Sequence, residues 1–227
     1  MKKIIVAFMI ICISITNTNF ETIAKASEVL DIEKITENEF SEMSVDELNA
    51  YIDNIETKMN SSENQAFSPK SNVVQDAWLA AAEIAKKQGY PCAAAMVKCS
   101  VNNMAYVENN IGPTGLCSSK IVNTSAFKKV LKTAKEKKKD NYATSVAFTK
   151  SMDSDLFYAL HNVDITSTRL GSGAWATYSM KVTDTFDFAY DNNYDSLFTS
   201  CVNNWAWLCQ QTNCLHKIKV TITFTAQ

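Results

Sequence analysis

His161 and Asp184 are the pair of residues in this chain whose types suit general acid-base chemistry. An imidazole changes charge near neutral pH, and a carboxylate beside it can orient the ring or stabilise its charged form. The stretch Asp155–Phe188 reads as a long antiparallel β-hairpin with a Gly-Ser-Gly tip at Gly171, Ser172 and Gly173. A two-residue Gly171-Ser172 turn sets Leu170 opposite Gly173, His161 opposite Val182 and Asp184 opposite Ala159. His161 and Asp184 are then diagonal neighbours on a face shared with Phe157, Ala159, Val163 and Ile165 on one arm and Ala174, Ala176, Tyr178, Met180 and Val182 on the other. Burying such groups without partners is costly. The pair therefore either works, Asp184 orienting or charging His161 with Asp164, Asp187 and Asp191 nearby in sequence, or closes the sheet edge as a satisfied hydrogen bond. No Gly-x-Ser-x-Gly, phosphate loop or His-Glu-x-x-His accompanies it, so a standard hydrolase signature is missing.

A second chemical feature is basic. Lys128, Lys129, Lys132, Lys135, Lys137, Lys138 and Lys139 crowd into twelve residues, while Phe127, Val130, Leu131 and Ala134 fall on the other side. That pattern predicts a basic amphipathic helix, capped by Asn123 or Thr124 and suited to anionic surfaces such as phospholipid headgroups or teichoic acid. The plainer alternative is a solvated face whose lysines complement the helix C-terminus. Nucleic acid fits poorly, because aromatics are not interleaved with the lysines.

The third feature is cysteine. Lys2 and Lys3, the apolar run Ile4–Ile15 and the small-x-small site Ala24-Lys25-Ala26 describe a secretory signal peptide over residues 1–26, so the mature chain is expected outside the cell. Its removal takes Cys12 and leaves Cys92, Cys99, Cys117, Cys201, Cys209 and Cys214, an even set that points to disulfides in an exported chain. Cys92 and Cys99 lie on one helix about 10 Å apart along its axis, too far to pair, and Cys201 and Cys209 share another helix in the same way. Ten of the fifteen connectivities remain, with bridges between these two helices the natural outcome. With two histidines in the chain and no zinc-like spacing, no metal site is expected, and no cofactor motif is present.

These groups must be positioned by a chain of 227 residues, 46% hydrophobic, which suffices for one good core. Abundant Lys, Asn and Ile with few Pro and Gly point to a bacterial source. Residues 27–66 carry eleven acids against two lysines, a net of −9, whereas residues 67–227 carry seventeen Lys/Arg against twelve acids, a net of +5. The leader, 27–70 with its polar linker, contains a capping box at Ser44-Val45-Asp46-Glu47 that predicts a helix to Met59. It reads as a solvated arm or as a propeptide that masks the basic region.

Within residues 71–227, helices are predicted at Asn72–Gln88, stopped by Gly89, and from Pro91 to about Asn103. A loop follows over Val107–Val122. After the hairpin comes a helix at Tyr194–Gln211, with Trp205 and Trp207. His216–Thr225 closes the chain as a strand whose Ile218, Val220, Ile222 and Phe224 alternate with polar residues. The expected fold is α+β: a small antiparallel sheet, made of the hairpin and the C-terminal strand, covered on one face by disulfide-linked helices.

Tyr158-Ala159-Leu160-His161 followed by Asp184-Thr185-Phe186-Asp187-Phe188 resembles small secreted proteins of Gram-positive bacteria that carry an A-L-H segment and then D-T-Y-D-F. The likeness spans about Trp78 to the C-terminus and implies export, with no particular activity attached. Asp184-x-Phe186-Asp187 is also similar to the D-x-Y-D core of colicin M-type bacteriocins, which cleave the lipid II peptidoglycan precursor. That resemblance implies Asp184 and Asp187 as acidic catalytic residues. Phe186 stands where that family has tyrosine, and Asn193 and Tyr194 stand at about the place of its His-Arg pair.

Two functions follow as expectations. One is a secreted, envelope-associated binding protein or bacteriocin-like toxin that contacts anionic components or the membrane surface through its lysines. The other is a secreted hydrolase, directed at a peptidoglycan precursor, that uses His161, Asp184 and Asp187.

Overall fold

A computed structural model describes residues 37–48, 50–51, 72–137, 140–173, 176–188, 206, 209–210 and 213–227. The signal peptide predicted over residues 1–26, the linker 60–70, Lys138, Lys139, Ala174, Cys201, Trp205, Trp207 and most of the helix predicted at Tyr194–Gln211 lie outside them. The protein is α+β, and it divides into two compact units.

The first unit comprises residues 1–88 and 188–215. Helix α1 (Glu37–Glu42) packs on α2 (Asn72–Lys87), and the Lys87 ammonium donates to the Ser41 carbonyl at 3.0 Å. The capping box forms as its residue types require: the Ser44 N–H donates to Glu47 Oε2 at 2.7 Å and the Glu47 N–H to Ser44 Oγ at 3.2 Å. The backbone N–H of Ser44, then its hydroxyl, hold the Glu47 carboxyl below its ordinary value. Residues 45–48 are helical behind this cap, and Leu48 is wholly buried. The acidic leader is therefore anchored by at least one core side chain. Ala-rich α2 buries Trp78 and Ile84, with the Trp78 ring 6.4 Å from that of Phe188. Farther along, Cys214 and Asn213 donate backbone N–H bonds to the carbonyls of Cys209 and Gln210, and Asn213 is left-handed at φ 61°. Those two bonds form a Schellman stop with asparagine in the glycine role.

The second unit comprises residues 89–187 and 216–227. Its five-stranded sheet has the order β1-β5-β4-β3-β2, formed by β1 (Tyr106–Asn109), β2 (Asn141–Ala147), β3 (Asn162–Leu170), β4 (Thr177–Phe186) and β5 (Ile218–Ala226). The pairings are antiparallel except that β1 runs parallel to β5, so the sheet is mixed where the sequence pointed to a purely antiparallel one. The core face carries Val163, Ile165, Tyr178, Met180, Val182, Phe186, Ile218, Val220, Ile222 and Phe224. Helix α3 (Pro91–Val101) packs against α6 (Ser154–Ala159), α4 (Ser118–Ile121) against β5, and α5 (Ser125–Lys137) against β2. Phe127 of α5 lies 5.6 Å from Phe224, centroid to centroid, which places α5 over the apolar face.

Helix α4 and all of β1 except Tyr106 fall inside the stretch predicted to be loop, Val107–Val122, and β2 falls where the sequence pattern predicts no element. In β1 the alternation covers four residues, too few for periodicity to announce. The hairpin also differs. Asp153 caps a helix rather than continuing a strand, its carboxylate accepting from the N–H groups of Asp155 and Leu156, and so Ser154–Ala159 coils. The strands end at Leu170 and resume at Thr177, farther apart than a two-residue turn allows. Gly171 and Gly173 are left-handed there (φ 81° and 79°), and the Arg169 guanidinium donates to the Gly173 carbonyl at 3.3 Å. Leu170 consequently pairs with Thr177 and Ile165 with Val182, a register four positions longer than expected. An even shift leaves the faces unchanged, which is why the apolar sides of the two arms still coincide.

Candidate functional site

The changed register alters the relation between His161 and Asp184. His161 stands at the bend after α6, exposed, with its ring 4.8 Å from that of Phe157 and its carbonyl accepting from the Phe148 N–H at 2.8 Å. Asp184 sits within β4 opposite Val220 of β5 and is half-buried. Its Oδ1 accepts from the Thr185 N–H at 2.7 Å, and it makes no hydrogen bond with His161. The expected diagonal contact in the hairpin is thus replaced by an interaction through space. Asp187, the third predicted acid, is exposed and forms an ion pair with Lys217 at 3.2 Å.

These three residues nevertheless share one electrostatic neighbourhood. Burial pushes the Asp184 carboxyl up from 3.8 to about 6; the charges of Asp187 and Asp164 push the same way, while the Thr185 N–H and His161 pull it down. Asp184 lines an open groove of about 530 Å³ with Ser145, Asp164, Thr183, Thr185 and Lys219. On the groove wall, Ser145 Oγ donates to Asp164 Oδ1 at 2.6 Å. By strand alternation Ser145, Asp164, Thr183, Thr185 and Lys219 bring a carboxylate, hydroxyls and an ammonium to one face of the sheet, whereas Asp184 shares the other face with Val182 and Phe186 and lines the groove from within the strand. The polar set can hold the charge of a polar ligand. Ser145 and Lys219 are members with no signal in the sequence pattern. They come from β2 and β5, and the sheet order that brings them to one groove depends on pairings with no local signature.

The basic helix forms as predicted. Thr124 is its cap, accepting from the Phe127 N–H at 3.1 Å and donating to the Ile121 carbonyl at 2.8 Å. Phe127, Val130 and Ala134 are buried, whereas Lys128, Lys129, Lys132, Lys135 and Lys137 are exposed. Lys132 faces Glu136 at 3.8 Å, and the Lys137 ammonium lies 4.7 Å from the centre of the Tyr142 ring. The apolar side of α5 is consumed by the protein's own core, which leaves its lysine side facing solvent.

A third cluster lies at the start of α3, around Cys92 and Cys117. Cys92, Cys117 and Cys214 are thiols in this structure, so no predicted bridge is formed at these three positions. Cys92 stands against Cys117 and Leu116, its sulfur 3.6 Å from the Leu116 carbonyl oxygen. The Cys117 thiol donates to Tyr106 Oη at 3.5 Å, which donates to Glu108 Oε2 at 2.9 Å. Glu108 also accepts from the N–H groups of Cys117 and Ser118, each at 2.9 Å. Burial opposes ionisation of Glu108, but the Ser118 hydroxyl, these two N–H groups and the Tyr106 hydroxyl outweigh it and hold the carboxyl below its ordinary value. A Cβ on Gly115 would overlap the Glu108 carboxylate and the Asn110 amide, so the loop closes on the acid because position 115 is glycine. Asp155 anchors the other side, accepting from the N–H groups of Cys92 at 3.0 Å and Ala93 at 2.9 Å and pairing with Lys120 at 2.9 Å.

No grouping of His, Cys, Asp and Glu among the described residues has the arrangement of a metal site, and no described helix is long and apolar enough to cross a membrane. No protein-family model, curated protein or solved structure matches this chain.

Proposed function

We propose that this is a secreted, envelope-associated binding protein or bacteriocin-like toxin that contacts anionic surfaces through α5. The observation that supports this reading is the division of that helix. Its apolar side is spent on the core, and five lysines stand exposed on the other. A lysine near an anionic bilayer contributes about 1 kcal/mol. Neutralising Lys128, Lys129, Lys132 and Lys135 to Gln is therefore expected to weaken binding to vesicles containing anionic lipid by about three orders of magnitude, with little effect on stability because these side chains are exposed. Co-sedimentation with anionic and zwitterionic vesicles, and with isolated envelope fractions, measures this. Undiminished binding by the neutralised protein rejects the reading.

The groove supports a second function, a secreted hydrolase acting on a peptidoglycan precursor with Asp184, His161 and Asp187. The favouring observation is a half-buried carboxyl brought to about 6, since an acid-base group works best when it titrates near the working pH. Asp184→Asn and His161→Ala are expected to abolish release of products from lipid-linked precursor while the proteins stay folded. Retained turnover in Asp184→Asn excludes this mechanism.

A further inference from the structure

We infer that Cys92 and Cys117 form a disulfide that staples the 110–117 loop to the first turn of α3. This inference is independent of both functions above. The two side chains are wholly buried and hydrogen-bond to each other, Cys92 also lies 3.6 Å from the carbonyl of Leu116, the residue before Cys117, and each backbone is held by a separate carboxylate. Asp155 takes the N–H of Cys92, and Glu108 takes the N–H of Cys117. The thiols are thus brought together by hydrogen bonds that do not require the bridge. This pairing differs from the bridge to the Cys201 helix that spacing alone pointed to.

The chemistry balances with a low-molecular-weight disulfide as oxidant. One thiolate attacks the oxidant, releasing the first small thiol and leaving a mixed disulfide. The second cysteine then attacks the protein sulfur of that intermediate, the Cys92–Cys117 bond forms, and the second small thiol departs. Two protein thiols are oxidised, one small disulfide is reduced, and the two protons leave with its thiols. The hydrogen bond with Cys117, and then burial, hold the Cys92 thiol far above its ordinary range, so the folded, reduced pair is a poor nucleophile. Oxidation therefore belongs to the folding chain, before the pair is sealed.

The test refolds the full chain from denaturant in a glutathione redox buffer, blocks residual thiols and digests without reduction. Mass spectrometry is expected to find the peptide containing Cys92 joined to that containing Cys117, about 2 Da lighter than the two thiol peptides together. The oxidised protein should melt about 5–15 °C above its dithiothreitol-treated form. A Cys92→Ala, Cys117→Ala double variant should lose most of that redox-dependent shift. If the variant fails to fold, the linkage map of the unsubstituted protein decides alone. Cys92 joined to Cys99, Cys201, Cys209 or Cys214, or Cys92 and Cys117 both recovered as blocked thiols from correctly refolded protein, overturns the inference.

Discussion

At the scale of single residues, Asp184 is held at a cost. Its carboxyl titrates at about 6 in the folded protein against an ordinary 3.8, so the folded state binds the proton more tightly than the unfolded one. Stability is therefore greatest below about pH 4 as far as this group is concerned, and it declines as pH rises through 6. Asp184→Asn removes the charge and keeps an oxygen for the Thr185 N–H. It is expected to raise stability at pH 7 by about 1–2 kcal/mol, after discounting for partial exposure. The gain should vanish at pH 4, and urea midpoints at the two pH values check this. Equal effects at both would show that burial does not set the titration. The sequence already marked Asp184 as a carboxyl on an apolar face, because the alternation of β4 survives any even change of register. Its distance from His161 was not legible, since that rested on a turn length which Gly171 and Gly173 leave open.

Among the elements, the best-read ones announce both their ends and their faces. Thr124 and the Phe127, Val130, Ala134 spacing define α5, and the Ser44–Glu47 box defines the helical start in the leader. Strand β5 shows the alternation expected of it, burying Ile218, Val220, Ile222 and Phe224. Helix α6 stands where the string from Asp155 reads as β, because Asp153, two residues before that string, caps a helix. Asp155, in the first turn of α6, ties α6 to α3 and is 2% exposed. Asp155→Ala leaves two helix N-terminal N–H groups and Lys120 without their acceptor. The expected loss is about 2–4 kcal/mol, somewhat more than one charged hydrogen bond. Asp155→Asn, which keeps one acceptor, should lose less. A denaturation midpoint unchanged in the alanine variant would mean that packing alone holds α3 to α6.

For the whole molecule, charge is the property that reaches farthest. The chain carries a formal net of −2, yet residues 27–66 hold −9 and residues 67–227 hold +5. Under the proposed function a net-acidic protein reaches an anionic surface through a local positive field, and an acidic leader opposes such a field only if it comes within a Debye length of it. Leu48 and the packing of α1 on α2 argue against studying this by deletion, which would expose core surface. Neutralising Glu39, Glu42 and Asp46, exposed acids in the described part of the leader, removes charge without truncating a buried side chain. The triple variant Glu39→Gln, Glu42→Gln, Asp46→Asn is expected to bind anionic vesicles several-fold more tightly in about 0.01 M salt, where the Debye length is about 30 Å. The difference should disappear near 1 M, where that length is about 3 Å. Equal binding at low salt would mean that the leader's charge does not reach the lysine face, and its role as a mask would fall with that result.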